Sequence, residues 1–201
     1  MKHSIYCTLG PSSLKKDFLN FVSKKNKVSL LRLNLSHIEH QKLPKIIEFV
    51  KKNTSKQLCI DTEGAQIRTR LKGRKLFMNK NRNIKIYFKQ KNISLYPEYI
   101  LKKIKVKDIL DIGFENLKLK VLKINKRYLL LKCISSGYFE TNKGVHLVNR
   151  KIKMKTFTEK DLRCIEIAKK YKINHFALSF TNSLEDIKNF NLLLKNKKKI
   201  F

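Results

Sequence analysis

Residues 30–37 read L-L-R-L-N-L-S-H, and the orientation of this stretch decides the fold. Leu31, Leu33 and Leu35 occupy one parity of an extended segment and Arg32, Asn34 and Ser36 the other, so the two sets point to opposite faces of a strand. A half-exposed strand with its polar face in water would account for the alternation by itself. The flanks argue for burial: V-S-L-L covers 28–31 and a helix-like segment follows at 40–53, the order of a parallel strand in a βα repeat. The polar face of a buried strand then needs a chemical reason.

The same arrangement recurs along the chain. Segments 4–10 (S-I-Y-C-T-L-G), 57–63 (Q-L-C-I-D-T-E) and 175–180 (H-F-A-L-S-F) are short apolar runs that end in small or polar residues. Between them, 13–25 carries Leu14, Phe18, Phe21 and Val22 at helical spacing, and 40–53 carries Leu43, Ile46, Ile47 and Val50. Thr158 to Asp161 and Ser183 to Asp186 fit the capping-box pattern and open two more helices, through Leu162, Ile165 and Ala168 and through Ile187, Phe190 and Leu194. Strand and helix alternate, which predicts an α/β fold with a parallel sheet.

From about 71 to 153 the period changes to two. Ile84, Ile86 and Phe88 alternate with Lys85, Tyr87 and Lys89, and Leu117, Leu119 and Val121 with Lys118 and Lys120. Such amphipathic strands predict a small antiparallel sheet or barrel, inserted after the third strand of the α/β part. The expected organisation is thus 1–70 and 154–201 for the α/β part, with 71–153 inserted and a Lys-rich tail at 195–199.

The 201 residues carry 47 Lys plus Arg against 15 Asp plus Glu, a formal charge of +32. A nucleic-acid binder is one reading of that balance. Only 8 of the 47 are Arg, however, and base reading and bidentate phosphate clamping favour Arg. The lysines also spread through every segment, as a compositional bias would place them. Cys7, Cys59, Cys133 and Cys164 are far apart and form no C-x-x-C pair, which predicts reduced thiols in a cytoplasmic protein. No run of 18 apolar residues and no signal-like start is present, so the expectation is a soluble chain with no membrane partner.

In parallel α/β folds ligands sit at the carboxyl ends of the strands. The polar residues there are Thr8 and Gly10, then Asn34, Ser36 and His37, then Asp61 and Thr62, and Ser179. Asn34, Ser36, Asp61 and the Thr62 backbone would offer only hard oxygens with one formal carboxylate, a set suited to a monovalent cation if they converge. Arg32 and Arg68 flank the group and suit phosphate oxygens.

These segments resemble the first part of a pyruvate kinase. Y-C-T-L-G-P-S-S at 6–13 is similar to the family's C-T-[IL]-G-P-[AS]-S, the L-R-L-N-L-S-H stretch to A-R-[LM]-N-F-S-H, and C-I-D-T-E-G-A-Q-I-R-T at 59–69 to L-D-T-K-G-P-E-I-R-T. N-K-G-V-H-L at 142–147, F-T-E-K-D at 157–161 and A-L-S-F at 177–180 resemble K-G-V-N-L-P, [LV]-[ST]-E-K-D and A-x-S-F, in the family's order. The resemblance implies part of a TIM (β/α)8 barrel, about four strands and the start of a fifth, with an inserted small β-barrel lid. It implies phosphoryl transfer from phosphoenolpyruvate to ADP in glycolysis, giving pyruvate and ATP.

Carried over by position, Arg32 would contact substrate phosphate. Asn34, Leu35, Ser36, His37, Arg68 and Lys143 would contact ADP or ATP. Asn34, Ser36, Asp61 and Thr62 would hold potassium. Glu63 stands where the family usually has Lys, Gln66 where potassium-dependent members carry Glu, and Asn182 where a basic residue is usual. The catalytic lysine and the magnesium carboxylates would fall beyond Phe201, so no catalytic residue is expected within these 201 residues. A complementary C-terminal half or a homo-oligomer would then complete the sheet. The alternative functions are a non-catalytic relic or regulatory protein that keeps partial nucleotide and phosphate binding and, more distantly, a basic nucleic-acid-binding module.

Overall fold

In the computed structural model, residues 3–73, 75–89, 92–113 and 117–194 are described, together with the backbone of 199–200. The chain forms two compact units, one from residues 1–65 and 155–201 and the other from 66–154. Each is built around its own hydrophobic core.

The first unit begins β1 (Ile5–Leu9), α1 (Lys16–Ser23), β2 (Val28–Asn34), α2 (Leu43–Asn53), β3 (Gln57–Asp61). Helix α1 starts later than the apolar spacing from Leu14 suggests, because the Gly10 carbonyl accepts the Ser13 and Leu14 amides in a turn first. After Asn34 the chain tightens into a single 3₁₀ turn, Leu35–His37, so the strand ends two residues before Ser36.

The second unit holds β4 (Ile67–Leu71), β5 (Leu76–Met78), β6 (Asn83–Tyr87), β7 (Ile93–Tyr96), β8 (Ile109–Ile112), β9 (Leu117–Ile124), β10 (Tyr128–Cys133), β11 (Gly137–Phe139) and β12 (Gly144–Leu147). The chain then returns to the first unit with α3 (Glu159–Lys170), β13 (His175–Ala177), α4 (Leu184–Leu193) and the short β14 (Lys199–Ile200). The tail residues Lys195–Lys198 and Phe201 lie outside the described residues.

Strands β1, β2, β3, β13 and β14 form one parallel sheet in that order. Their register arranges side chains in layers. Leu9, Leu33, Ile60 and Phe176 pair across four strands and share one face, where they join Leu19 and Val22 of α1, Ile47 and Val50 of α2, Cys164 and Ile165 of α3 and Phe190 of α4 in a single core. All four helices therefore cover the same face. Leu31, Leu33 and Leu35 are fully buried in it, which answers half of the question that L-L-R-L-N-L-S-H poses.

The helix starts at Thr158 and Ser183 are closed by complete capping boxes, with Asp161 and Asp186 reaching back to the cap amides. The terminal strand-like run 175–180 is shorter in the structure: β13 stops at Ala177, and Phe180 takes a left-handed φ of 56°.

In the second unit seven strands close in the order β10-β6-β7-β4-β12-β8-β9, with β9 pairing back to β10. Ile84 and Ile86, Leu117, Leu119 and Val121, and Leu129 and Leu131 point inward, as period two requires. The pairings are antiparallel except for a short parallel contact between β6 and β7, and β5 and β11 form a separate two-stranded sheet. A boundary at residue 71 would cut β4, whose Ile67 to Leu71 belong to the closed barrel, so the second unit begins at Gln66. Among the described residues, no helix is long and apolar enough to cross a membrane.

One ion pair fastens this barrel. Asp108 is 2% exposed and accepts Arg150 Nε at 2.8 Å, Arg150 Nη2 at 2.6 Å and the Lys105 amide at 2.7 Å, while the same Nη2 donates to the Lys103 carbonyl at 2.6 Å. Burial alone would push the Asp108 carboxyl up, but the Arg150 guanidinium and the Lys105 N–H outweigh it and hold the group below its usual range. A carboxyl with a depressed folded pKa contributes stability above its unfolded value of about 3.9, and that contribution is lost as pH falls through the folded pKa.

Arg150→Ala should therefore cost about 2–3 kcal/mol at neutral pH, since it leaves a buried carboxylate without its cation. The gap to the parent should narrow below about pH 4, where the abandoned Asp108 protonates. Urea unfolding across pH measures both, and a gap that stays constant with pH would refute the assignment.

Candidate functional site

The face of the sheet opposite the helices carries a second set of layers. Thr8, Arg32, Cys59 and His175 pair across four strands, and Asn34, Asp61 and Ala177 form the next layer toward the carboxyl ends. A parallel register thus brings together residues up to 167 positions apart, His175 minus Thr8, without any local sequence signal.

The centre of this face is Asp61, 2% exposed. Arg32 Nε donates to Asp61 Oδ2 at 2.9 Å, and Arg32 Nη2 makes a second, short bond to the same oxygen. Ser179 Oγ donates to Asp61 Oδ1 at 2.7 Å, and Arg32 Nη1 reaches Thr8 Oγ1 at 2.8 Å. A buried carboxylate needs a paired charge and satisfied lone pairs, and Arg32 and Ser179 supply them. The sequence places Arg32 against phosphate and Asp61 against a cation as separate tasks. The structure makes them partners first.

The Arg32 side chain stays 33% exposed and has five N–H bonds in a planar fork, so it can hold Asp61 and still turn N–H groups to an anion. Thr62, 1% exposed, fixes the next turn: its hydroxyl accepts the Ser179 amide at 3.0 Å and its own amide donates to the Ala177 carbonyl at 3.0 Å.

Asn34 ends β2, and its Oδ1 accepts the Ser36 amide at 2.9 Å. It therefore caps the 3₁₀ turn, the ordinary role of an amide at such a position. Leu35 points into the core with no exposed surface, Ser36 is half-buried and His37 is exposed. Of these four residues Leu35 can offer a ligand its backbone alone, whereas Asn34, Ser36 and His37 keep accessible side chains. Asn34 and Asp61 sit side by side in the register, with Ser36 and Thr62 following them in the chain, so hard oxygen donors do gather at these strand ends. Oδ2 of Asp61 spends both lone pairs on Arg32, while Oδ1 keeps one beyond that taken by Ser179, and the Arg32 charge already balances the carboxylate, which suits a singly charged ion better than a divalent one.

A residue outside the predicted set organises the turn that follows β3. Asp161 is fully buried, and its Oδ1 accepts the Glu63 amide at 2.7 Å while its Oδ2 accepts the Gly64 amide at 3.1 Å and the Thr158 amide at 3.1 Å. Its capping-box role was legible; its second role was not, because Glu63 lies 98 residues away. Gly64 has a left-handed φ of 73° and lies so close to Ser179 that a Cβ would stand 2.3 Å from the Ser179 carbonyl oxygen. The charge at Glu63, opposite in sign to the family pattern, is also accounted for. Its carboxylate is buried, accepts the Thr158 hydroxyl at 3.3 Å and faces Lys160 Nζ at 3.8 Å.

The remaining candidates belong to the second unit. Arg68 on β4 pairs in register with Gly144 of β12, next to Lys143, so the two cations sit on neighbouring strands. Arg68 Nη1 donates to the Asn142 carbonyl at 3.3 Å, and Lys143 Nζ lies 3.5 Å from Glu140 Oε2. Thr69, fully buried, ties this hairpin: its hydroxyl accepts the Lys143 amide at 2.9 Å and donates to the Glu140 carbonyl at 2.5 Å. Gly113, at the end of β8, lies under the Lys143 stem, where a Cβ would meet Lys143 Cδ at 3.5 Å. Together these groups make a small basic surface held by backbone bonds.

Cys59 shares the layer of Arg32, but burial, reinforced by the Asp61 charge, pushes its thiol up to about 12, so it stays protonated and is no nucleophile near neutral pH.

Comparison with known proteins places this geometry. A family model described as "Pyruvate kinase, barrel domain" matches residues 1–200. The pyruvate kinase of Buchnera aphidicola from Schizaphis graminum is 29% identical over 95% of this chain and 42% of its own length. That of Sporosarcina psychrophila is 24% identical over 97% of this chain and 35% of its own. A crystal structure of Cryptosporidium parvum pyruvate kinase superposes with a TM-score of 0.86 at 24% identity, covering 98% of this chain and 43% of that one, a likeness of fold. The chain thus spans less than half the length of these relatives.

Proposed function

From the premise that the chain belongs to the pyruvate kinase family, we propose that it supplies phosphate-, cation- and nucleotide-binding elements for phosphoryl transfer from phosphoenolpyruvate to ADP. The observation that carries this reading is the Arg32, Asp61 and Ser179 cluster at the carboxyl ends of a parallel sheet. Phosphoryl transfer depends on positioning and charge neutralisation more than on covalent chemistry, and this cluster is a fixed cationic fork backed by a buried carboxylate.

In this reading the five-stranded sheet is part of a (β/α)8 barrel and the closed seven-stranded barrel is its lid. Arg32 binds substrate phosphate. Asn34, Ser36, Asp61 and the Thr62 backbone would hold potassium, which would supply positive charge for phosphoryl transfer. Asn34, Leu35, Ser36 and His37 in the first unit, and Arg68 and Lys143 in the second, are assigned to the nucleotide. Magnesium would neutralise charge on the transferring group, and none of these residues is assigned to it. These assignments are tested by binding.

ADP at ten times its dissociation constant should raise the melting temperature of the chain by about 3–5 °C. Arg68→Ala and Lys143→Ala should each abolish most of that shift, while Arg32→Ala should leave it and remove the shift given by phosphoenolpyruvate. No shift in the parent chain, or shifts unchanged in all three variants, would overturn the assignment.

A further inference from the structure

At the amino end of the parallel sheet, opposite the end that carries Asn34 and Asp61, two depressions of about 590 and 370 Å³ adjoin each other and share Lys51, Thr54 and Ser55 as a common wall. The first lies where α1 and α2 end, and the second runs to the first residues of β3 and β13. Five lysines line them, Lys24, Lys51, Lys52, Lys56 and Lys172, and among the described residues no carboxylate does. Glu48, one turn before Lys51 on α2, is engaged by the Tyr171 hydroxyl.

Two of the lysines are anchored. Lys51 Nζ donates to the Tyr171 carbonyl at 2.5 Å and Lys56 Nζ to the Lys25 carbonyl at 3.1 Å, which is how cations serve helix carboxyl ends. Such bonds fix the ammonium groups without neutralising them. The three helix ends nearby contribute about half a negative charge each, roughly −1.5 in all. Five ammonium groups outweigh them, so the groove is electropositive.

The lining decides what kind of anion fits. Among the described residues no arginine lines the groove to clamp a single phosphate bidentately, and Leu58 and Ile173 are the only large apolar residues in its wall, so nothing here resembles a pocket for a compact metabolite. Carboxylates on a protein surface gain little from exposed lysines, about 0–1 kcal/mol per pair. A phosphodiester chain gains more, because each neutralised phosphate releases condensed counterions. Among the described residues no Phe, Tyr or Trp lines the groove and His175 is its single ring, so there is no platform on which successive bases would be stacked or read.

We propose that this groove binds the phosphodiester backbone of nucleic acid without sequence preference. Lys24, Lys52 and Lys172 make the contacts, and Lys51 and Lys56 hold the groove's shape and add charge. The overall charge of +32 attracts polyanions to the whole surface; the groove is where they settle.

The test separates a site from bulk charge. Anisotropy of a short fluorescein-labelled oligothymidylate is measured against the full chain over a KCl series. The triple variant K24Q/K52Q/K172Q is compared with K120Q/K123Q/K126Q, which removes the same charge from exposed positions of the small barrel. The groove variant should weaken binding at least tenfold at low salt and flatten the slope of log K against log salt by about 2, at roughly 0.7 per lost phosphate contact. The barrel variant should change the slope by less than half as much. No binding by the parent chain, an unchanged groove variant, or equal losses in the two variants would overturn the proposal.

Discussion

Replacing Gly64 by Ala should cost the first unit about 4 kcal/mol or more, among the largest effects of any single methyl in this chain. Two independent strains add. The added Cβ would stand 2.3 Å from the Ser179 carbonyl oxygen and 2.9 Å from its carbon, both backbone atoms that no rotamer change can move. The backbone φ of 73° is also one that a residue with a Cβ adopts at a cost of about 1 kcal/mol. Relief would require the turn after β3 to move off Ser179, and with it Thr62, whose hydroxyl holds the Ser179 amide.

Gly10→Ala is the comparison, because nothing lies within 4 Å of a Cβ there and its φ is not in the left-handed region. It should stay within about 1 kcal/mol of the parent, of either sign. Urea unfolding of the two variants reads the difference, and a Gly64→Ala cost below about 1 kcal/mol would mean that the turn is not locked.

The contrast between these glycines shows what was legible. Both sit after the apolar run of a strand, in G-P-S-S and E-G-A-Q, and nothing in either motif says which one is pinned. The alternation of L-L-R-L-N-L-S-H, the helical spacing of α2 and the two capping boxes were readable because each is a local pattern, complete within a dozen residues. The Arg32–Asp61 pair, 29 residues apart, becomes readable only once the strands are known to be neighbours and their register is fixed. The short parallel contact of β6 with β7, and the early end of β13 at Ala177, depend on packing from elsewhere in the chain and leave no periodic trace. The polar face of β2 was half legible: its residue types announced chemistry, but not that Arg32 and Asp61 neutralise each other.

Asp161→Ala should destabilise the same unit by about 3–5 kcal/mol, although its sequence signature is the same as that of Asp186. Both are the third helical residue of a capping box. Asp186 is partly accessible to water, and its loss should cost about 1–2 kcal/mol, a cap and the bond from Thr156. Asp161 is fully buried and is the acceptor for three backbone amides, two of them on the Glu63–Gly64 turn. Without it those N–H groups have no water to turn to, and each unpaired buried donor costs about 1–3 kcal/mol.

Hydrogen exchange gives a residue-level reading: the Glu63 and Gly64 amides should exchange slowly in the parent and at least about a hundredfold faster in Asp161→Ala, since that factor equals about 2.7 kcal/mol of local protection. Because Gly64→Ala disturbs the same turn, the double variant should lose about 1–2 kcal/mol less than the two single costs together. Additivity within about 0.5 kcal/mol would show that Asp161 and Gly64 support separate structures. Coupling would show that one turn, clamped by Ser179 on one side and by Asp161 on the other, sets where Asp61 and Thr62 stand at the end of β3.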